Sequence, residues 1–228
     1  MPVTTVVFDA YGTLFDVAGA ARRAATEPGG EALARVWPAL ADEWRRKQLE
    51  YTWLRAITGE HADFEAVTRD ALDWAMEAAG LSDPALRDRL MKLYDALPAY
   101  PEVPGVLERL RATGLTLAIL SNGTPRMLQA AVASAGLGSS LTAVLSVEAA
   151  GIFKPARAVY DLVPGRFGCD PAEVLFVSSN GWDIAGAAGF GFRTVWINRA
   201  GLPVDRLSHR PARIARDLTA LPDLQETQ

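Results

Sequence analysis

Residues 4–8, Thr-Thr-Val-Val-Phe, form an unbroken β-branched and aromatic run with no polar alternation, the pattern of a strand buried on both faces. Such a strand belongs in a parallel sheet, and it ends at Asp9 and the turn Ala10-Tyr11-Gly12-Thr13. From residue 17 to residue 97 the composition changes to alanine, arginine, glutamate and tryptophan. Helical spacing recurs there, in Trp37, Leu40 and Trp44 and again in Ala71, Trp74 and Ala78. Gly59 and Leu81-Ser82-Asp83-Pro84 punctuate this stretch, which predicts three or four helices and no strand. After a proline-rich return at 98–104, apolar runs and helical patterns alternate. Strands are expected at 115–120, 143–147, 174–177 and 194–197, and helices at 125–135, 156–167 and 184–190. The alternation predicts an open, doubly wound, mostly parallel α/β sheet whose first strand is 4–8. Residues 1–16 and 98–228 are thus expected to form an α/β core, with 17–97 inserted as a helical cap. The tail, with Pro203, Pro211 and Pro222, carries no legible chemistry.

Ligands of such sheets bind at the carboxyl ends of the strands, beside the point where strand order reverses. The polar clusters fall at that edge: Asp9, Ser121-Asn122, Lys154, and the run from Ser178 to Asp183. A cap leaving the end of the first strand would lie over them as a lid. Aspartate alone suits any turn, but here Gly12 frees backbone N–H groups beside it and the Thr13 hydroxyl can fix its rotamer. Thr124 and Pro125 read as an ordinary helix start, which leaves Ser121 and Asn122 as donors to a small anion. Asp183 falls in the first turn of a helix, where an acid favours the dipole; that does not account for Ser178, Ser179, Asn180 and Trp182 beside it. Were Asp9 and Asp183 within about 5 Å, they would repel by roughly 3 kcal/mol at an effective dielectric near 20, and Lys154 between them would keep both ionised. In the cap, Arg45, Leu49 and Trp53 fall at i, i+4 and i+8, so Arg45 shares an apolar stripe and can project into a pocket, whereas Arg46 reads as solvated. His61 and His209 lack a partner at useful spacing and read as structural or exposed.

Composition narrows the partners. Of 228 residues half are hydrophobic, and 27 acids against 23 bases give a net charge of -4 with no long run of either sign. Neither a nucleic acid nor a polybasic membrane contact is expected. Cys169 is the single cysteine, so no intramolecular disulfide forms, and no apolar run approaches the roughly 18 residues that cross a bilayer. A cytoplasmic protein is expected.

Together, D-A-Y-G-T-L-F from Asp9, R-x-K-Q-L-E-Y-T-W-L-R from Arg45, L-A-I-L-S-N-G, K-P-x-x-x-x-Y from Lys154, F-V-S-S-N-x-W-D and W-I-N-R resemble the L-2-haloacid dehalogenases of the haloacid dehalogenase superfamily. The resemblance implies hydrolysis of an L-2-haloacid to the D-2-hydroxy acid without cofactor or metal, in a homodimer. It implies that Asp9 attacks the halogen-bearing carbon, that Ser121 and N–H groups near Tyr11 hold the substrate carboxylate, and that Arg45, Asn122 and Trp182 receive the halide. Tyr11, Leu49, Trp53 and Phe64 would shape the apolar pocket. Asp183 would activate water, with Lys154, Ser178 and Asn180 positioning acids and water, and Thr13 and Tyr160 orienting Asp9 and Lys154. Two alternatives stay open. One is a magnesium-dependent phosphatase of the same superfamily, against which stand Tyr11 where a second acid protonates the leaving group and Ser179 where an acid helps hold the metal. The other is a non-catalytic binding protein. Arg46, Phe153 and Gly181 depart from the residues common at those positions, which are glutamine, tyrosine and alanine.

Overall fold

Strand β1 (Thr5–Phe8) is buried along its whole length in the middle of the sheet, as its apolar run requires. The computed structural model describes residues 1–225; the last three residues of the expected core segment lie outside it. Beside β1 stand β2 (Thr116–Ser121), β3 (Ala143–Ser146), β4 (Val174–Ser178), β5 (Arg193–Ile197) and β6 (Arg213–Ala215), in the order β3-β2-β1-β4-β5-β6 with every pairing parallel. Strand order reverses at β1. Phe8 is level with Ile119 on one side and Val177 on the other, so Asp9, Ser121 and Ser178 emerge along one edge.

Among the described residues, the stretch 17–97 holds four helices and no strand: α1 (Gly19–Thr26), α2 (Trp37–Thr58), α3 (Phe64–Ala78) and α4 (Pro84–Tyr94). Asp63 caps α3 through its side chain, Asp83 caps α4, and Pro84 opens α4, so the expected punctuation is used as breaks between helices. The buried stripe of α2 runs through Leu40, Ala41, Trp44, Gln48 and Thr52, and that of α3 through Phe64, Val67, Thr68, Ala71, Leu72, Ala75 and Met76. Trp74 and Ala78 fall off the α3 stripe, and Trp74 instead lies under the Arg46 and Lys47 side chains. The remaining helices are α5 (Val103–Ala112), α6 (Pro125–Ser134), α7 (Arg157–Tyr160), α8 (Leu162–Phe167), α9 (Gly181–Phe190) and α10 (Leu221–Gln225).

Two features differ from the sequence expectation. The helix expected at 156–167 is divided into α7 and α8, because Pro164 has no N–H to continue the ladder to Tyr160. The tail supplies β6, three mostly exposed residues at the sheet edge that include an arginine, too short and polar to read as a strand.

Where the chain leaves the sheet for the helices and returns, it is stitched together: Asp16 N–H donates to Pro98 O at 2.9 Å and Tyr100 N–H to Leu14 O at 2.9 Å. Arg199, just beyond β5, braces that crossing. Its guanidinium lies 3.7 Å from the Tyr100 ring centroid, pairs with Glu102 at 2.7 Å and donates to Thr13 O at 3.0 Å. Replacing it by alanine removes a charged hydrogen bond worth about 2 kcal/mol together with the ion pair and the stacking. Arg199→Ala should therefore lower the urea midpoint clearly, whereas Arg23→Ala, which removes an exposed pair with Glu27, should leave it nearly unchanged. Equal midpoints for the two variants would remove the brace.

Candidate active site

Asp9 ends β1 and is held from three directions. Its Oδ2 accepts from the Thr13 hydroxyl at 3.1 Å and the Asn180 amide at 2.9 Å, and its Oδ1 faces Lys154 Nζ at 3.1 Å. Thr13 reaches back because the turn is tight: Leu14 and Phe15 both donate to Ala10 O, and Gly12 sits at φ 88, the left-handed region that side chains avoid. Thr13 also accepts from Ser179 N–H at 2.8 Å, joining the β1 turn to the β4 turn.

Lys154 Nζ lies 2.8 Å from Asp183 Oδ2 as well, so one buried ammonium bridges both acids. Burial disfavours its charge, yet the carboxylates of Asp183 and Asp9 outweigh burial and hold its pKa above the ordinary lysine value. Asp183 lies in the first turn of α9 and is fully buried. Burial raises its carboxyl above the usual carboxylate range, and Lys154 offsets that only in part. The lysine thus lies between the two acids, in contact with both. Phe176 lies beneath the ammonium, 4.9 Å from its ring centroid.

Tyr160 corrects one assignment. Its hydroxyl donates to Asp183 Oδ1 at 2.8 Å, so it orients the second acid rather than Lys154, because α7 packs on α9 at that turn. The Ser178 hydroxyl oxygen accepts Asn180 N–H at 3.1 Å, so it shapes the β4 turn that carries Asn180 toward Asp9. Asn122 Oδ1 accepts Lys154 N–H at 3.0 Å, and Ser121, fully buried, accepts Gly123 N–H at 3.2 Å. Thr124 caps α6 with Pro125 at its start, as expected.

The cap closes the site from above. Arg45, half-buried, donates to Tyr11 O at 3.2 Å and to Gln48 Oε1 at 2.8 Å, with Asn180 Oδ1 at 3.5 Å. A small, narrow pocket is lined by Asp9, Tyr11, Arg45, Leu49, Phe64, Ser121, Asn122, Asn180 and Trp182. Trp53 does not line it but stands edge-on to Trp182 at 5.4 Å. Tyr11 is buried against Phe64 and Tyr94, at ring separations of 5.5 and 5.4 Å. Burial pushes its phenol pKa well above the ordinary value, so it remains a neutral hydroxyl. Arg46 points away, paired with Glu43 at 2.6 Å and Glu50 at 2.7 Å, and adds no charge to the pocket. His61 pairs with Glu148 at 3.2 Å beside Phe153, and His209 is exposed, in contact with the α9 surface at Gly189. Gly181 is explained by Asp205, whose carboxylate occupies the space an alanine methyl would need.

Sequence reasoning missed Gln48, Thr68, Tyr94 and Arg199. The first three are polar residues of helices that turn inward to one another; only their place on the buried stripes distinguishes them. Among the described residues no three His, Cys, Asp or Glu side chains cluster as a metal site, and the gap between Asp9 and Asp183 holds an ammonium.

A profile for haloacid dehalogenase-like hydrolases matches residues 3–191. The (S)-2-haloacid dehalogenase 1 of Pseudomonas sp. (strain CBS-3) is 43% identical over 226 residues, covering 99% of this chain and 96% of that protein. A crystal structure of a dehalogenase with intermediate complex superposes at a TM-score of 0.92 with 42% identity, over 97% of this chain and 96% of the other. The L-2-haloacid dehalogenase from Xanthobacter autotrophicus with chloropropionic acid covalently bound superposes at 0.86 with 38% identity, over 98% of each chain.

The bridge has a thermodynamic signature. A carboxyl whose pKa is raised by folding binds its proton in the folded chain where the unfolded chain, with a pKa near 3.9, has released it, so stability falls as pH rises through that interval. Lys154→Met removes the group that most lowers the Asp183 pKa and widens the interval. The variant should lose roughly 3–5 kcal/mol at neutral pH, and the deficit against the parent should shrink as pH is lowered toward about 4.5. Urea unfolding of both proteins across this range measures it; a deficit independent of pH would mean that the ammonium does not govern the buried charge.

Proposed function

The chain belongs to the haloacid dehalogenase-like hydrolases, and from that premise we propose that it hydrolyses L-2-haloacids to D-2-hydroxy acids through an aspartyl ester. The observation that carries the proposal is Asp9, fixed by three donors at the floor of a small, largely apolar pocket with a guanidinium above it. A carboxylate aimed at carbon, with a cation placed for the departing anion, suits displacement at a halogen-bearing centre.

In the first step an Asp9 oxygen forms a bond to C2 from the face opposite the halogen, and the carbon–halogen bonding pair leaves with the halide. The configuration inverts. Ser121 and backbone N–H groups near Tyr11 hold the substrate carboxylate, while Arg45, Asn122 and Trp182 receive the halide. Tyr11, Leu49 and Phe64 form the apolar wall, with Trp53 behind Trp182. A halide leaves as a stable anion and needs no proton, consistent with a buried tyrosine two residues after Asp9. In the second step water attacks the ester carbonyl as Asp183 takes one of its protons. The bond from the carbonyl carbon to the substrate oxygen breaks, Asp183 returns that proton to the departing alkoxide to release the hydroxy acid, and Asp9, left as a carboxylic acid, loses its proton to solvent. Burial makes Asp183 a stronger base than a solvated carboxylate. Lys154, Asn180 and Thr13 keep Asp9 aligned, and Tyr160 does so for Asp183; Ser178 supports Asn180.

Residues 17–97 serve as the lid and residues 1–16 with 98–228 as the catalytic body. The lid is held down away from the pocket by Arg126, which pairs with Glu65 and Asp95 at 2.8 and 2.9 Å. Exposed Leu54 and Ile57 on α2 offer apolar surface for a homodimer. No described helix is long and apolar enough to cross a membrane, and a cytoplasmic setting fits the single free cysteine.

Chloride release from the separate enantiomers of 2-chloropropionate, with and without a strong chelator, tests the reaction. Release from the L form alone, unaffected by chelator, is expected; release of phosphate from a generic ester, abolished by chelator, would replace the proposal by phosphatase chemistry. Asp9→Asn should abolish halide release. Asp183→Asn should let the ester accumulate, seen as a mass increase on Asp9 after quenching, and an unchanged ester lifetime would remove Asp183 as the base.

A further inference from the structure

We infer that Gln48 is a positioning residue for carbon–halogen cleavage, fixing the Arg45 guanidinium through a directional chain of hydrogen bonds that begins at the backbone of α3. This rests on the reading of Arg45 as the group that receives the halide. Gln48 and Thr68 are fully buried and neither lines the pocket.

The direction of the chain follows from counting protons. The Thr68 hydroxyl has one, and it is committed to Phe64 O at 2.6 Å, the preceding turn of α3. Toward Gln48, Thr68 can only accept. The nitrogen end of the amide therefore faces Thr68, at 2.7 Å, and the oxygen end faces Arg45 Nη1, at 2.8 Å. Tyr94 closes the other side of the amide, its hydroxyl 3.1 Å from Nε2 and 3.3 Å from Oε1. Trp44 donates its indole N–H to Thr68 O at 2.8 Å and so ties α2 to α3 at the same level.

The consequence reaches the pocket through the planarity of the guanidinium. With Nη1 held by Gln48, Nη2 is set toward Tyr11 O and Asn180 Oδ1, above Asp9. A free arginine has rotamer entropy to lose, and here that loss precedes substrate binding. The acceptor is also neutral. A glutamate at 48 would hold the same fork but cancel the charge that draws the halide, whereas an amide dipole orients it and leaves the charge available.

The test measures ester formation in a single turnover with 2-chloro- and 2-bromopropionate, because poor support of the leaving group hurts the worse leaving group more. Thr68→Val breaks the chain at a residue that touches neither Arg45 nor the pocket, and Thr68→Ser restores the hydroxyl. Thr68→Val should slow the chloro substrate about ten-fold, the order of one charged hydrogen bond, and the bromo substrate less. The bromo-to-chloro ratio should rise about three-fold or more, KM should stay within about two-fold because Ser121 holds the carboxylate, and Thr68→Ser should return the ratio to the parent value. Gln48→Glu, which keeps the shape of the side chain, should raise the ratio likewise and serves if Thr68→Val does not fold. An unchanged ratio in the folded variants, even with slower rates, would overturn the inference, since general loosening slows both substrates alike. Arg45→Ala separates the two levels. If it raises the ratio and the Gln48 and Thr68 variants do not, the inference alone fails; if it too leaves the ratio unchanged, the halide role of Arg45 fails and takes the inference with it.

Discussion

The Lys154 ammonium lies 3.1 Å from one carboxylate and 2.8 Å from another with 1% of its side chain exposed. An ion taken into a protein interior alone costs several kcal/mol, and a second like it nearby costs more. The ammonium is therefore tolerable because two carboxylates face it, and the two carboxylates, which repel each other, because the ammonium lies between them. That requirement reaches far into the fold: Asp9 ends β1, Lys154 follows β3 and Asp183 opens the helix after β4, so the strands must hold their register for the charges to meet. Tyr160 and Thr13 then take up carboxylate oxygens the ammonium does not hold, which fixes both side chains rather than merely neutralising them. In the proposed reaction the same arrangement serves both steps, since esterification of Asp9 removes one negative charge while Lys154 and Asp183 stay paired.

A sheet edge alone supplies one side of such a site. The leaving group departs on the face opposite the nucleophile, and a parallel sheet has nothing there. The inserted helices provide it: Arg45 comes down from α2, and Phe64 from α3 closes the pocket against Tyr11. Because the arginine is tied to Gln48 and the ring to its neighbours, the opposing wall is rigid although it is carried by a separate segment of chain. A group that ordered itself only on reaction would forfeit part of its effect to entropy.

How much of this the sequence discloses depends on whether a feature is local. The buried strands announce themselves by their unbroken apolar runs, and the residues just past them are marked as site candidates by the topology of the fold. Thr13 is readable because it lies four residues from Asp9 in a tight turn, and Arg45 because its stripe is apolar. Partners fixed by packing between distant segments are not readable this way. Tyr160 bonds Asp183 and not Lys154, and nothing in the sequence says how α7 rotates on α9. Gln48 looks like one more polar residue in a charged helix, and Arg199 closes the W-I-N-R motif without a legible role, yet both hold groups of the site in place. β6 was missed because an exposed three-residue edge strand need not be apolar.

The identity of residue 11 follows from the same electrostatics. A third acid two residues after Asp9 would be buried beside two carboxylates that already share one ammonium, and burial together with like charge would hold it protonated. That state is useful where the leaving group needs a proton. A halide does not need one, and a buried carboxylic acid at this point would add a polar surface to the pocket without contributing to the displacement. An aromatic ring instead packs with Phe64 and Tyr94 and keeps water away from the Asp9 carboxylate. A tyrosine at position 11 is thus favoured on both sides, by a leaving group that needs no acid and by a charge cluster with no capacity for another.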